Sequence, residues 1–180
     1  SRSVKRPARR PRVIELVMSS AAPPAGLGMV TPFSVALKPA AGAPAKLKIL
    51  PAPAGAGVVF RRVDLDGFEV EAVSRNVARV SYATSLMKKG VLISTTEHLL
   101  SAFIGMGVDN AIVELDNLEL PILDGSAQPY VEMIRAAGLK RQRSLRNYLR
   151  LRREVEVREG DKFIAVYPAE NYSVAYSINF

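Results

Sequence analysis

The pattern of hydrophobic and polar residues changes near Gly57. Alanine, proline and glycine dominate residues 19–57, and only 35–38 and 47–50 have the composition of short strands there. Beyond Gly57, short apolar or alternating runs bounded by turn residues predict a series of strands. The predicted strands are 58–63, 68–73, 91–93 and 111–115, followed by 149–157, 163–167 and 174–178.

Two helices are predicted between these strands, each from apolar residues at helical spacing. The first is expected to begin at Ser94 or Thr95 and to end near Gly107. Its predicted apolar face is Leu99, Leu100, Phe103 and Ile104. The second follows residues 121–126 and is expected to stop at Gly138. Its predicted apolar face is Tyr130, Val131, Ile134 and Ala137.

The composition narrows the class of protein. The chain has 180 residues, which suits one domain, or one domain plus part of another. It contains no cysteine, so disulfides and thiolate chemistry are excluded. No apolar run approaches the roughly 20 residues that span a bilayer, and no apolar segment follows the basic N-terminus as in a secretory signal. We therefore expect a mostly globular chain with no integral membrane segment.

The formal net charge of +8 is concentrated in two short segments. Residues 1–12 hold six of the 25 basic residues and residues 140–153 hold seven, with no acidic residue in either segment. The rest of the chain has 12 basic and 17 acidic residues, a net charge of −5. Such charge runs are typical of solvated linkers, so we expect no nucleic-acid partner. The alternative is a non-catalytic module that binds nucleic acid or another polyanion through residues 140–153.

The residues most suggestive of chemistry are Glu97 and His98, the second being the single histidine of the chain. One interpretation is structural, because Ser94 and Glu97 have the spacing of a helix capping box and a lone histidine is often a structural residue. The other is catalytic, with a carboxylate as general base beside a metal-binding imidazole. Consecutive helix positions do not face each other, so both residues cannot bind one ion as two ligands of one helix face do.

Two other short segments have simpler interpretations. Asp124 or Ser126 is expected to cap the second helix, and residues 88–90 are expected to form a hairpin turn.

A catalytic zinc usually takes three protein ligands, and one imidazole without any thiolate cannot complete such a site.

Four blocks, in their order and spacing, closely resemble the N-terminal half of the UDP-3-O-acyl-N-acetylglucosamine deacetylases, the zinc amidases of lipid A biosynthesis. The two most specific are T-x-E-H-L, beginning at Thr95, and P-I-x-D-G-S, beginning at Pro121. The blocks are residues 50–65, 90–102, 107–115 and 120–127. The similarity runs from about residue 47 to residue 180, and residues 1–8 also resemble the opening strand of the family.

This resemblance implies an α+β fold. Each of two domains would be a layer of helices on a sheet, similar to domain 2 of ribosomal protein S5, with the active site between them. The chain would then divide into an irregular N-terminal segment with the first strand, the rest of the first domain, a basic linker and the first strands of a second, similar domain. The corresponding ranges are 1–46, 47–139, 140–148 and 149–180.

The resemblance also implies a reaction. In this family, water on zinc attacks the acetamide of a UDP-linked, acylated glucosamine, and a glutamate acts as general base. That role falls on Glu97, and the first zinc ligand falls on His98. Residues 81–84 match the family segment that lines the entrance for the substrate and its acyl chain. Tyr82, Ala83 and Thr84 are therefore the candidate substrate-binding residues.

Two departures from the family pattern shape the remaining expectations. The family's G-x-G-L-H-x-G segment is expected before residue 47, where this chain reads A-G-L-G-M-V-T from Ala25 and has no histidine. The H-x-x-x-D helix that supplies the other zinc ligands, and a further catalytic histidine, are missing. We therefore expect an N-terminal fragment that is inactive alone. We expect the parent protein to act as a monomer in the bacterial cytoplasm, with the mitochondrion or plastid as the alternative.

Overall fold

The computed structural model of the chain describes residues 13–16, 27–30, 33–37, 45–78, 82–146 and 150–177. These residues form two compact units. One unit contains the described residues from 27 to 146, and the other contains residues 13–16 together with 150–177. The predicted opening strand at residues 1–8 lies outside the described residues.

Most of the described strands and both α-helices belong to the larger unit. Its strands are β2 (Leu27–Val30), β3 (Phe33–Leu37), β4 (Ala45–Pro51), β5 (Val58–Arg62), β6 (Phe68–Glu71), β7 (Leu86–Lys88), β8 (Val91–Ile93), β9 (Ala111–Leu115) and β10 (Leu139–Arg141). Its helices are α1 (Glu97–Met106), α2 (Gln128–Ala137) and a short 3₁₀ turn (Ser74–Asn76). The smaller unit contains β1 (Val13–Leu16), β11 (Val155–Glu159), β12 (Lys162–Val166) and β13 (Val174–Ser177).

A five-stranded sheet forms the centre of the larger unit, in the order β3-β4-β9-β5-β6. Strands β5 and β9 run parallel, and the other neighbours are antiparallel. The side chains of β9 alternate between buried and partly buried positions, as the period of two in a strand requires. The buried apolar residues of β4, β5, β6 and β9 and the buried residues of both helices belong to one hydrophobic core. Its largest fully buried side chains include Tyr130, Phe60, Phe103, Leu47 and Ile49.

A ladder of charged side chains extends across four strands of the same sheet. Arg61 on β5 forms ion pairs with Glu69 on β6 at 2.7 Å and with Glu114 on β9 at 3.1 Å. Glu114 in turn lies 3.8 Å from the ammonium group of Lys48 on β4. These residues alternate with core residues along their strands, so the charged face is opposite the apolar one. The fold is therefore α+β, as predicted, and is compatible with helices packed on one face of a sheet.

The two helices agree with their predicted positions to different degrees. Helix α2 buries Tyr130 and Ile134, and Gly138 follows it directly, as predicted. Helix α1 begins at Glu97, two to three residues later than predicted, and it buries Leu99, Ala102 and Phe103. The prediction for Ile104 was wrong, because its side chain is 75% exposed. It lies one residue beyond the i, i+3, i+4 set that faces the core, about 100° further around the helix.

The basic segment that follows α2 is partly structured. Strand β10 includes Lys140 and Arg141 and pairs antiparallel with β2. Gln142 then donates a hydrogen bond to the carbonyl of Ala52 and accepts one from the buried Asn110. The first residues of this segment therefore belong to the larger unit, and the domain limits given above stay a prediction.

The smaller unit contains the strands that were predicted near the C-terminus of the chain. Strand β13 pairs with β1, and β11 pairs with β12. Strand β11 begins at Val155 rather than at residue 149, because its partner β12 ends at Val166, shortly before Pro168. No helix of the described residues is long and apolar enough to cross a membrane.

The hairpin of β7 and β8 is attached to the five-stranded sheet by an ion pair. Its turn is Lys89-Gly90, both with positive φ, which confirms the predicted hairpin turn. The ammonium group of Lys88 lies 2.8 and 2.9 Å from the two carboxylate oxygens of Glu71 at the end of β6. The Lys88 hydrogen bond is the main cause that lowers the pKa of Glu71 to about 2.

This ion pair predicts a specific dependence of stability on pH. Because the pKa of Glu71 is lower in the folded chain than in the unfolded one, the pair stabilises the fold above about pH 4.5 and loses its effect as the pH falls towards 2. Both side chains are about one third exposed, so we expect Lys88→Met to cost no more than about 1 kcal/mol at pH 7. Urea unfolding at pH 7 and pH 3 should show a smaller cost at pH 3. An equal cost at both would show that packing of the Lys88 stem, not its charge, stabilises the hairpin.

Candidate functional site

Glu97 and His98 are the first two residues of α1, and their side chains lie close together. The Oε1 atom of Glu97 is 3.8 Å from Nε2 of His98. The other carboxylate oxygen, Oε2, accepts a hydrogen bond of 2.8 Å from the backbone N–H of Thr84. The Glu97 side chain is 34% exposed and that of His98 is 21% exposed. One carboxylate oxygen is thus fixed by the backbone while the other lies beside the imidazole, with both groups accessible to small molecules.

The capping-box interpretation of Glu97 is wrong. The residue that precedes α1 is Thr96, and no side-chain cap forms there. The Oγ atom of Ser94 lies 3.1 Å from that of Ser85, and the main chain of Ser94 bonds to the segment around Glu119. Glu97 is therefore the first residue of the helix rather than the third. At that position no preceding turn confines its side chain, which is directed to Thr84.

Residues 82–84 differ in how closely they approach this pair. Thr84 is fixed on both sides of its peptide unit: its N–H donates to Glu97, and its carbonyl accepts from the N–H of Thr96 at 3.2 Å and from its hydroxyl at 3.0 Å. Ala83 is partly buried. Tyr82 is fully exposed and has a φ of 60°. The structure therefore places Thr84 against Glu97 and leaves the Tyr82 ring in solvent.

The carboxylate of Asp124, in the loop before α2, accepts hydrogen bonds from the backbone N–H and the hydroxyl of Ser126. Hydrogen bonds from the backbone N–H and the hydroxyl of Ser126 lower the pKa of the Asp124 carboxyl, and the imidazole of His98 lowers that pKa further. The Ser126 hydroxyl also accepts a hydrogen bond of 3.1 Å from the N–H of Gln128, the first residue of α2. The residue that precedes α2 is Ala127 and it makes no side-chain cap, so the predicted cap at Asp124 or Ser126 was wrong in position, although Ser126 still accepts from the first N–H of the helix.

A further carboxylate, that of Glu119, is hydrogen-bonded to the segment that leads into α1. Glu119 accepts a hydrogen bond of 2.9 Å from the hydroxyl of Thr95. Thr95 is 4% exposed and has a φ of 60°. The main chain of Ser94 donates to Leu118 and accepts from Leu120, which forms a parallel bridge beside Glu119. Glu119 was not predicted as a functional residue, and only its place two residues before the P-I-x-D-G-S block could have suggested it.

The donor set does not by itself make a zinc site. Among the described residues, no three histidine, cysteine, aspartate or glutamate side chains converge so as to hold a metal ion. His98 is the one imidazole of the 180 residues, and they contain no thiolate. A tetrahedral catalytic zinc needs more nitrogen or oxygen ligands than this cluster supplies.

A partly buried carboxylate beside an imidazole at the start of a helix is an arrangement that suits general acid–base chemistry. A comparison with protein families now gives the particular family. Residues 35–180 match the family model described as LpxC, UDP-3-O-acyl N-acetylglycosamine deacetylase. The chain belongs to this family. The match begins twelve residues before residue 47, where the similarity was expected to start, so it includes most of β3.

Individual relatives agree with the family match. The chain is 59% identical over 131 residues to the UDP-3-O-acyl-N-acetylglucosamine deacetylase of Solibacter usitatus, covering 73% of the chain and 44% of that protein. It is 47% identical over 140 residues to the deacetylase of Cellvibrio japonicus, covering 77% of the chain and 46% of that protein. For Marinobacter nauticus the identity is 44% over 135 residues, covering 74% and 44%. The matched segment thus spans less than half the length of each relative.

Proposed function

We propose that the protein takes part in lipid A biosynthesis as a zinc-dependent deacetylase that hydrolyses the N-acetyl group of UDP-3-O-acyl-N-acetylglucosamine. The observation that carries this proposal is the fixed Glu97 carboxylate, with Oε2 bonded to Thr84 and Oε1 3.8 Å from the His98 ring. These residues belong to the segment that matches the deacetylase family.

In this proposal Glu97 is the general base. Its Oε1 atom accepts a proton from the water that attacks the acetamide carbonyl carbon, while Oε2 stays bonded to the N–H of Thr84. The C–N bond then breaks, and the proton held by Glu97 passes to the leaving amine nitrogen. The products are acetate and the free amine of the glucosamine. The hydrogen bond from Thr84 keeps the carboxylate in one orientation throughout both proton transfers.

His98 is the proposed first zinc ligand. A bound zinc would supply Lewis-acid activation of the water and the carbonyl. Among the described residues His98 provides the one imidazole for it, and no three potential ligands converge there. Asp124 is the proposed partner that orients the His98 ring, because ligating histidines commonly donate their second N–H to a carboxylate.

The substrate is proposed to contact residues 82–84. Thr84 lies directly against Glu97, so a substrate placed for attack passes close to this loop. The ring of Tyr82 is fully exposed and offers an apolar face with a hydroxyl at its end.

The proposal also includes three properties of the protein as a whole. These are a fold similar to domain 2 of ribosomal protein S5, a monomeric state and action in the bacterial cytoplasm.

Assays of acetate release test this function. We expect the full product of the gene to release acetate from UDP-3-O-acyl-N-acetylglucosamine when zinc is present. We expect the 180-residue chain by itself to show no measurable turnover and only weak zinc binding, because it offers one imidazole. Turnover by the 180-residue chain would contradict the second expectation. If the full product were inactive but bound duplex nucleic acid with an affinity that falls steeply with salt, the polyanion-binding alternative would replace the proposal.

A further inference from the structure

Backbone strain is concentrated in the three segments that meet at the candidate site. Five non-glycine residues among those described have positive φ. Two of them, Asp66 and Lys89, precede a glycine in a tight turn, where this conformation is ordinary. The other three lie in the loop before Thr84, two residues before the start of α1, and in the loop before Asp124. They are Tyr82, Thr95 and Leu123.

Thr95 is the most demanding of the three. A β-branched residue in the left-handed region is a true outlier and is unfavourable on its own. Thr95 is also 4% exposed, so its conformation is determined by contacts with the protein and not by contacts with water. Such a conformation persists only where the neighbouring structure determines it from several sides.

The contacts around Thr95 supply that determination. Ser94 donates its backbone N–H to the carbonyl of Leu118, and its carbonyl accepts from the N–H of Leu120. The hydroxyl of Thr95 donates to the carboxylate of Glu119 at 2.9 Å. The residue after it, Thr96, bonds instead to the carbonyl of Thr84 through both its N–H and its hydroxyl. The chain therefore changes direction at Thr95, between two different neighbours, immediately before Glu97.

We propose that Thr95 and Glu119 form a positioning pair that fixes the direction in which α1 begins and thereby holds the Glu97 carboxylate against the N–H of Thr84. The hydroxyl of Thr95 is the donor and the carboxylate of Glu119 is the acceptor. The pair does not touch the reacting atoms. Its catalytic meaning rests on the proposed role of Glu97 as general base, whereas its structural effect on Glu97 and Thr84 does not.

The pair also joins the two most specific blocks of the sequence. Thr95 opens the block with Glu97 and His98, and Glu119 directly precedes the segment 120–126 that carries Asp124. This side-chain hydrogen bond adds to the two main-chain bonds of Ser94 that join the segment of the base and imidazole to the segment that leads to Asp124. This accounts for a buried threonine and a nearby glutamate for which core packing alone gives no reason.

Hydrogen exchange of the Thr84 amide tests the proposal in the 180-residue chain. This amide donates to Glu97, so its protection reports whether the carboxylate is in place. Thr95→Val keeps the shape of the side chain but removes the donor. We expect it to raise Thr84 exchange by about tenfold relative to the core amides of Phe60 and Val113, the factor that corresponds to loss of one buried hydrogen bond. Thr95→Ser keeps the hydroxyl and should preserve most of the protection.

Variants at Glu119 keep the test decisive if Thr95→Val fails to fold. Glu119→Ala removes the acceptor and should raise Thr84 exchange as Thr95→Val does, whereas Glu119→Gln retains an acceptor oxygen and should not. Glu97→Ala sets the upper limit, because it removes the acceptor of the Thr84 amide itself. The proposal is overturned if Glu97→Ala raises Thr84 exchange but neither Thr95→Val nor Glu119→Ala does, or if all core amides accelerate equally with that of Thr84.

A kinetic measurement on the full product of the gene separates this proposal from the proposed function. We expect Thr95→Val to lower kcat for acetate release by about tenfold with little change in KM, and Thr95→Ser to restore kcat, since only the orientation of the base is disturbed. If the unchanged protein releases no acetate, the proposed function fails, while the exchange experiment still decides the positioning role of Thr95 and Glu119. A loss that appears only in KM would overturn the link to Glu97.

Discussion

Glu97→Gln is expected to lower kcat for deacetylation by about 10²- to 10⁴-fold, the usual contribution of a positioned general base. Glutamine has nearly the shape of glutamate and its side-chain oxygen can still accept the hydrogen bond from Thr84, so the fold and the loop at residues 82–84 should be preserved. What is lost is a carboxylate oxygen that takes a proton beside His98. KM should change little, because in the proposed mechanism Glu97 acts on the water rather than on the sugar or the nucleotide.

The measurement is acetate release by the full product of the gene at saturating substrate, with zinc content determined for each preparation. Glu132→Gln is the matched control, since Glu132 lies on the exposed face of α2 and bonds only to Gln128 of the same helix among the described contacts. The control should keep full activity. Full activity in Glu97→Gln would return Glu97 to a structural role in holding Thr84.

His98→Ala is expected to lower zinc affinity by more than about 100-fold, because loss of a partner behind a metal ligand already costs 10- to 100-fold and loss of the ligand itself costs more. Deacetylase activity at limiting zinc should fall with it. The His98 ring is partly buried and its Nε2 atom lies 3.8 Å from Oε1 of Glu97, so the substitution also removes the imidazole beside that carboxylate.

Zinc binding to His98 has a readout that does not depend on activity. Because the chain contains one histidine, its ring gives a single set of imidazole signals in an NMR spectrum. Zinc should shift these signals in the 180-residue chain at millimolar concentration, and Asp124→Asn should weaken that response while Glu132→Gln should not. Unchanged zinc affinity of the full product after His98→Ala would exclude His98 as a ligand.

The sequence predicted the elements whose patterns are local. Helix α2 has its apolar residues at regular spacing and glycine directly after its last turn, and it lies where expected. The hairpin of β7 and β8 was predicted from Lys-Gly at its turn. The strands β5 and β9 were predicted from apolar runs, with only the last residue of β5 in error. In each case the local order of apolar and turn residues was enough to locate the element, although β5 and β9 pair with each other across about 50 residues of sequence.

The start of α1 could not be predicted in the same way. The local pattern from Ser94 to Glu97 is that of a capping box, and local preference favours it. Contacts with residues 12 to 24 positions away decide otherwise, since Thr84 binds Thr96 and Glu97 while Glu119 binds Thr95. The left-handed conformation of Thr95 is likewise unfavourable on its own and is stabilised only by those contacts. The blocks of the family indicated which residues belong to the site, but the structure was needed to show how they meet.

The order of strands in the central sheet has a consequence for how this protein folds during synthesis. Strands β4 and β5 are neighbours in sequence, yet β9 lies between them and pairs with both. Translation delivers β9 last, about 50 residues after β5, so the sheet remains in two separate pieces until Leu115 has left the ribosome. The apolar faces of β4 and β5 stay open during this interval, and closing such non-local and parallel pairs is slow. Chaperone dependence should therefore be greatest for nascent chains that end between α1 and β9.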